Sequence, residues 1–98
     1  MKPYKLHPKA AAEYAEAKEY YTRIRPELGK RFEAEINELI AAICRHPQQY
    51  REYDPPMRRH FSRSFPYAIL YHDEPERVWI VTVTHMKRHP GHWKPRLG

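Results

Sequence analysis

Two apolar stripes at helical spacing, joined by a single Arg25-Pro26 step, constrain this chain more than any other feature of its sequence. From Lys9 to Arg25, the positions Ala11, Tyr14, Ala15, Ala17, Tyr21 and Ile24 recur three and four residues apart, the spacing of one helical face. Glu13, Glu16, Lys18 and Glu19 fill the other side. Pro26 disfavours helical geometry in the residue before it, so the first helix ends at Arg25. A proline is tolerated in the first turn of a helix, so Pro26 opens a second one, with Glu27 at the positive end of its dipole. Leu28, Phe32, Ile36, Leu39, Ile40 and Ile43 then form an apolar stripe that ends at Arg45-His46-Pro47. Helices joined this tightly fold back as an antiparallel hairpin. Gly29, an unusual residue for a first turn, allows the two helices to approach closely. A hairpin with an apolar face needs a surface to cover.

The rest of the chain reads as that surface. Residues 3–7, Pro-Tyr-Lys-Leu-His, form a short strand with Pro3 at its start or on an edge. Residues 47–56 carry three prolines and read as a loop. In the strand from Met57 to Ser64, Arg59 and Arg63 share parity with Met57, Phe61 and Phe65. Either a bulge interrupts its pairing or one of its faces is wet and basic. Tyr67 to His72 is a strand with Tyr67, Ile69 and Tyr71 on one side and Ala68 and Leu70 on the other. Asp73-Glu74-Pro75-Glu76 makes a turn. Arg77 to His85 places Trp79, Val81, Val83 and His85 opposite Val78, Ile80, Thr82 and Thr84; neither side is wholly polar, as in a central strand. The tail from Met86 holds Pro90, Gly91 and Pro95 and no long regular element. The order β-α-α-β-β-β is an α+β architecture: a helical hairpin on one face of a mainly antiparallel sheet of about four strands, the other face partly open. At 98 residues the chain has room for one domain, spanning 1–98.

The net charge of +6 is unevenly placed. Residues 1–54 hold ten Lys/Arg against nine Asp/Glu, whereas residues 55–98 hold eight against three, and those three acids lie together in the turn at 73–76. Such a one-sided basic field attracts a polyanion or an acidic protein partner. Cys44 is the only cysteine, which excludes an internal disulfide and a cysteine-based metal cluster; among Leu39, Ile40 and Ile43 it reads as a core residue. With no run of eighteen apolar residues and no signal-type opening, a cytoplasmic location without membrane association is expected.

Three local signatures add to the element order. Leu28-Gly29-Lys30-Arg31-Phe32 opens the second helix, followed by Glu35 and the stripe up to His46-Pro47. Met57-Arg58-Arg59 leads to Phe65-Pro66-Tyr67-Ala68-Ile69-Leu70-Tyr71. Val83-Thr84-His85 has Arg88, Pro90 and Trp93 behind it. Together they resemble the RelE/ParE toxin superfamily of type II toxin–antitoxin systems over nearly the whole chain. The resemblance implies a cofactor-free, growth-arresting toxin, linked to plasmid stabilisation, that is neutralised by a cognate antitoxin acidic where it wraps the toxin. RelE-like members are endoribonucleases that cut messenger RNA, mostly in the ribosome. ParE-like members poison DNA gyrase and need no hydrolytic site.

Metal-independent RNA cleavage uses the 2′-hydroxyl as nucleophile. It needs a group to take that proton, a group to protonate the leaving oxygen, and cations for the charged transition state. His85, at a strand end, could serve as acid or base. Arg59, Lys87 and Arg88 could hold the phosphate, and Tyr67 or Trp93 could stack a base. His85, Arg88 and Arg59 are therefore the catalytic candidates, with Arg58, Arg63, Tyr67, Lys87 and Trp93 as candidates for substrate or partner binding. Each has a plainer reading. His85 could be a polar strand end bonded to backbone, Arg58 and Arg59 could dock the antitoxin, Trp93 could anchor the tail on the sheet, and Phe65, Tyr67 and Tyr71 could be packing residues. Pro90 and Gly91 break any regular spacing of His85, His89 and His92, and no carboxylate is expected nearby, so no metal is expected. RelE-like nucleases generally carry an arginine in the strand just after the aromatic matching Tyr67. This chain has Ala68 there, so the RelE mechanism does not carry over intact. The expectation left by the residues is a toxin acting on messenger RNA or on gyrase, with a non-toxic basic binding module as the alternative.

Overall fold

Pro8 and Pro26 each stand in the first turn of a helix, where the missing N–H costs nothing. The structure, a computed structural model, describes residues 1–97. Helix α1 runs Pro8–Ile24 and α2 runs Pro26–Arg45. The His7 ring caps α1 by accepting the Lys9 amide at 3.0 Å. Arg25, in extended geometry, ends one helix and begins the next, so a single residue reverses the chain. Thr22 faces Gly29 near the link and Tyr14 Oη reaches Asn37 Oδ1 at 3.2 Å farther out, which is the antiparallel order expected. A Cβ built on Gly29 would fall within the Thr22 side chain, so only glycine permits this approach. The α2 stripe holds as read: Phe32, Ile36, Leu39, Ile40, Ile43 and Cys44 are buried and Leu28 packs at their edge. The α1 face differs by one position. Ala10 and Ala17 are buried and Tyr14 and Tyr21 half-buried, while Ala11, Ala15 and Ile24 face solvent.

The helices cover a four-stranded sheet of order β1-β4-β3-β2, with β1 Tyr4–Leu6, β2 Met57–Phe61, β3 Tyr67–Asp73 and β4 Val78–His85. The strand β1 pairs parallel with β4, and the other two pairings are antiparallel. Ile69, Tyr71, Val78, Ile80 and Val83 meet the helices in the main core.

Three features of the sheet differ from the pattern in the residues. First, β2 stops at Phe61 instead of Ser64, because the Ser62 hydroxyl and the Ser64 amide both bond the Glu35 carboxylate on α2 and turn the chain away. Second, the irregularity lies in β4 and not in β2. Leu70 pairs with Thr82 but Tyr71 with Ile80, leaving Val81 as an extra, bulged residue. The bulge shifts the alternation, so Val83 returns to the helix side beside Ile80 instead of continuing the face of Trp79 and Val81. Third, the far face of the sheet is not simply open. Met57, Ala68, Leu70 and Val81 form a second small core, capped by Trp93 from the tail and flanked by Tyr53 and Trp79. The tail closes with one 3-10 turn, Lys94–Leu97. Among the described residues no helix is long and apolar enough to cross a membrane.

Candidate functional site

The far face of the sheet carries a small cleft where β4 ends and the tail crosses it. Arg59, Thr84, His85, Arg88 and His89 line it over a floor of Ala68 and Leu70. Arg59, His85 and Arg88, the three residues singled out for chemistry, all border this cleft, but not from one face: His85 pairs with Tyr67 and turns its ring to the helix side, where it also lines a depression against α1 with Val83 and Arg88. Their settings differ sharply. Arg59 pairs across strands with Leu70 on the second-core side, and its guanidinium lies 3.9 Å from the Tyr53 ring centre and 4.5 Å from that of Phe61. Stacking between two rings explains its parity with Met57 and Phe61 without any bulge in β2. Among the described residues that guanidinium has no hydrogen-bond or ion-pair partner.

His85 is half-buried, edge-on to Tyr67 at 5.2 Å, and its Nδ1 accepts the Lys87 amide at 3.0 Å. With Nδ1 accepting, the neutral ring carries its proton on Nε2 and offers a donor, not a base. The plain reading of His85 as a backbone-bonded strand end is thus part of its chemistry. Arg88 is not free: its Nη1 lies 3.0 Å from Glu13 Oε2.

Glu13 is the residue that the sequence pattern misplaced on the solvent side. Its carboxylate meets Arg96 at 2.9 and 2.8 Å, the Thr82 hydroxyl at 2.8 Å, the Val83 amide at 3.3 Å, Arg88 at 3.0 Å and His92 at 3.5 Å. Burial by itself would raise its pKa, but the hydrogen bonds from Arg96 and Thr82, the Arg96 charge and the Val83 amide outweigh that and hold it below the ordinary glutamate value. The reason for the cluster is topological. Because Pro8 starts α1, β1 ends at Leu6 opposite Ile80, and the edge of β4 beyond that point has no partner strand. Glu13 accepts the Val83 N–H there and Arg96 Nη1 donates to the Val81 carbonyl at 2.9 Å, so an ion pair completes the edge. Glu13 stands three residues after Ala10 and four before Ala17, the two buried alanines of α1, and that spacing was the available signal. It also puts a carboxylate beside His92, contrary to the expectation that none lies near the histidines. Among the described residues no group of three or more His, Cys, Asp or Glu could hold a metal ion.

The other sequence candidates separate. Arg58 turns to the helix side and donates to the Gln48 and Tyr50 carbonyls at 3.2 and 2.8 Å, so it ties down the 47–50 loop and does not reach the cleft. Arg63 is exposed beside Glu35 and Glu38, in a groove between α2 and β2. Tyr67 belongs to the aromatic cluster of the main core, 5.1 Å from Phe32, and burial pushes its hydroxyl up. Lys87 is exposed next to the cleft. Trp93, at 2% exposure, is the cap of the second core, so it anchors the tail and has no free face for a base. Ala68, 1% exposed, lies in that core, and the position where RelE-like nucleases carry an arginine is filled by packing.

A family model for the ParE toxin of type II toxin–antitoxin systems matches residues 4–90. The chain belongs to the ParE toxin family. A solved structure described as the chromosomal ParDE toxin–antitoxin system from P. aeruginosa shares the fold, with a TM-score of 0.77 at 19% identity, over 87% of this chain and 96% of that one. No curated protein matches at the sequence level. The ParE match ends at Pro90, so Trp93 and Arg96, which close the second core and the β4 edge here, lie beyond the matched span.

Proposed function

We propose that this ParE-family chain arrests growth by binding DNA gyrase, without cutting RNA, and that a cognate antitoxin neutralises it. The observation that carries the reading is the His85 hydrogen bond. RNA cleavage needs an acceptor for the 2′-hydroxyl proton, and the Nδ1 lone pair that would serve is already occupied by the Lys87 amide at 3.0 Å. The cations point the same way. Arg88 is held by Glu13 and Arg58 by backbone carbonyls, and Ala68 is packed under Trp93, which leaves Arg59 as the one unengaged guanidinium lining the cleft among the described residues. A phosphorane-like transition state served by one cation and one imidazole lacks much of the electrostatic stabilisation such chemistry uses. The cleft, at about 90 Å³, is also far below the roughly 300–1,000 Å³ of sites that enclose small ligands.

Induced expression in bacteria, with translation, DNA supercoiling and the DNA-damage response followed separately, tests this. A gyrase poison induces the damage response first, leaves early protein synthesis intact, and keeps its toxicity in a His85→Ala variant. A halt in translation before any damage signal, abolished by His85→Ala, would establish a ribonuclease built on the Arg59, His85 and Arg88 cleft. Absence of growth arrest from well-expressed, folded protein would leave only the binding-module reading.

A further inference from the structure

We infer that the cleft beside Arg59 is a seat for a single carboxylate, carried by an acidic peptide segment of a protein partner, with Arg59 as its anchor. The inference rests on the proposed neutralisation by a protein partner and names where one of its acidic side chains lands. Three observations lead to it. A guanidinium normally uses its planar fork of donors, and in this chain the others that are half-buried do so: Arg58 on carbonyls, Arg77 on Glu74 at 2.7 Å, Arg96 on Glu13. Arg59 is equally half-buried and stacked between Tyr53 and Phe61, yet none of its donors is engaged within the described residues. Its position is fixed by the rings, so an incoming oxyanion meets a donor fork whose rotamer entropy is already lost.

The surrounding groups complete a site for negative charge. Thr84, His85 and His89 share the lining. The His85 ring borders the cleft from the other face of the sheet, against Tyr67, so Arg59 is the donor that anchors the anion. Of the acids nearest the cleft, Glu13 is taken up by Arg96 and Arg88, and Asp54 pairs with Lys94 at 3.3 Å. A bound carboxylate therefore meets little competition.

Size and surroundings favour a carboxylate over the phosphodiester of a nucleic acid. A space of about 90 Å³ holds a few waters, or one oxyanion on a thin stem, and offers no run for a sugar–phosphate backbone. The surroundings are apolar as well as basic: Met86, 48% exposed, lines the cleft, and Phe61, 43% exposed, lies against the Arg59 guanidinium. An acidic side chain flanked by an apolar one matches both features at once, whereas a phosphate chain leaves the apolar rim unused.

The full-length protein, labelled for arginine side-chain NMR, is titrated with a capped hexapeptide of alternating glutamate and leucine. A single-stranded DNA oligonucleotide of equal charge is titrated in parallel. Expected is a saturable shift of the Arg59 Nε–H resonance with the peptide, at least tenfold weaker peptide binding in Arg59→Gln, and a several-fold loss in Arg59→Lys, which keeps charge but not the fork. Peptide binding that leaves the Arg59 resonance in place, or that is unchanged in both variants while their spectra remain folded, overturns the assignment. Tighter binding of the oligonucleotide at Arg59 overturns it in favour of a nucleic-acid ligand. Growth arrest is scored separately, so loss of the carboxylate seat and loss of the toxin reading are distinguishable results.

Discussion

Glu13 joins an amphipathic helix to a tail more than eighty residues away, and its side chain, like that of Arg96, is nearly buried, with relative exposures of 11% and 6%. Burying two charges is costly, and removing one partner leaves the other uncompensated. Glu13→Gln should therefore destabilise the protein by roughly 3–5 kcal/mol at neutral pH, read from denaturant unfolding. The pH dependence has a definite sign. The folded Glu13 carboxyl titrates below its ordinary value, so its contribution is fully present above the unfolded pKa of about 4.3 and is lost as pH falls through the lower folded value. The stability gap between the parent and Glu13→Gln should thus be widest near neutrality and shrink below about pH 4, and a gap that does not change with pH would contradict the ion pair. None of this was visible in local pattern, because Glu13 finds Thr82, His92 and Arg96 only after the sheet has formed. The face it occupies was nearly legible: shifting the α1 stripe from Ala11 to Ala10 carries Glu13 inward with it.

At the scale of elements, the helical hairpin and the strand order were legible because they rest on local rules. Proline at a first turn, a stripe at helical spacing and a Pro/Gln loop each act over a few residues. Gly29 is the point where that local reading becomes a packing requirement. Gly29→Ala would gain helix propensity of up to about 1 kcal/mol, but the new methyl overlaps Thr22, and overpacking of this kind costs about 1–3 kcal/mol. A net loss of stability is expected. Thr22→Ala in the same chain should recover part of it, since it removes the hydroxyl in the way but leaves its own Cβ 2.9 Å from the new one. A double-mutant cycle by denaturant titration measures that coupling, and strictly additive effects would show that the helices do not meet here. What local rules could not give is the bulge at Val81. Val78 to His85 alternates without interruption in sequence, and only pairing with β3 on one side and a β1 that is too short on the other reveals the extra residue. The same blindness hid the setting of Arg59, whose parity with Met57 and Phe61 suggested either a bulge or a wet face. Stacking between Tyr53 and Phe61 was a third solution, and it depends on a loop residue placed by tertiary structure.

The molecule as a whole is one sheet with a core on each side, unequal in size and in what holds them. The main core is built from α1, α2 and the helix-facing residues of β3 and β4, all within residues 10–83. The second depends on Trp93, which the tail brings back across the sheet, and on Arg96, which bonds Val81 and Glu13 beyond it. A chain of this size has a narrow margin, so a second core held by one tryptophan weighs heavily. Trp93→Ala should cost roughly 3–5 kcal/mol, which for a domain of about 100 residues lowers Tm by about 10 °C or more. The distribution of the loss is the sharper test. With the tail released, amide hydrogen exchange should accelerate at Val81, Val83 and the non-proline residues of 88–97, while the amides of Phe32, Ile36 and Ile40 in the middle of α2 slow or speed only with the global stability. Equal acceleration everywhere would mean that the two cores form a single cooperative unit and that the tail is integral to the fold. Selective acceleration would mean that the second-core face carrying Arg59 is assembled by the tail on a scaffold that stands without it. The setting of Arg59 in this ParE-family chain would then depend on residues past Pro90, outside the span that the family model matches.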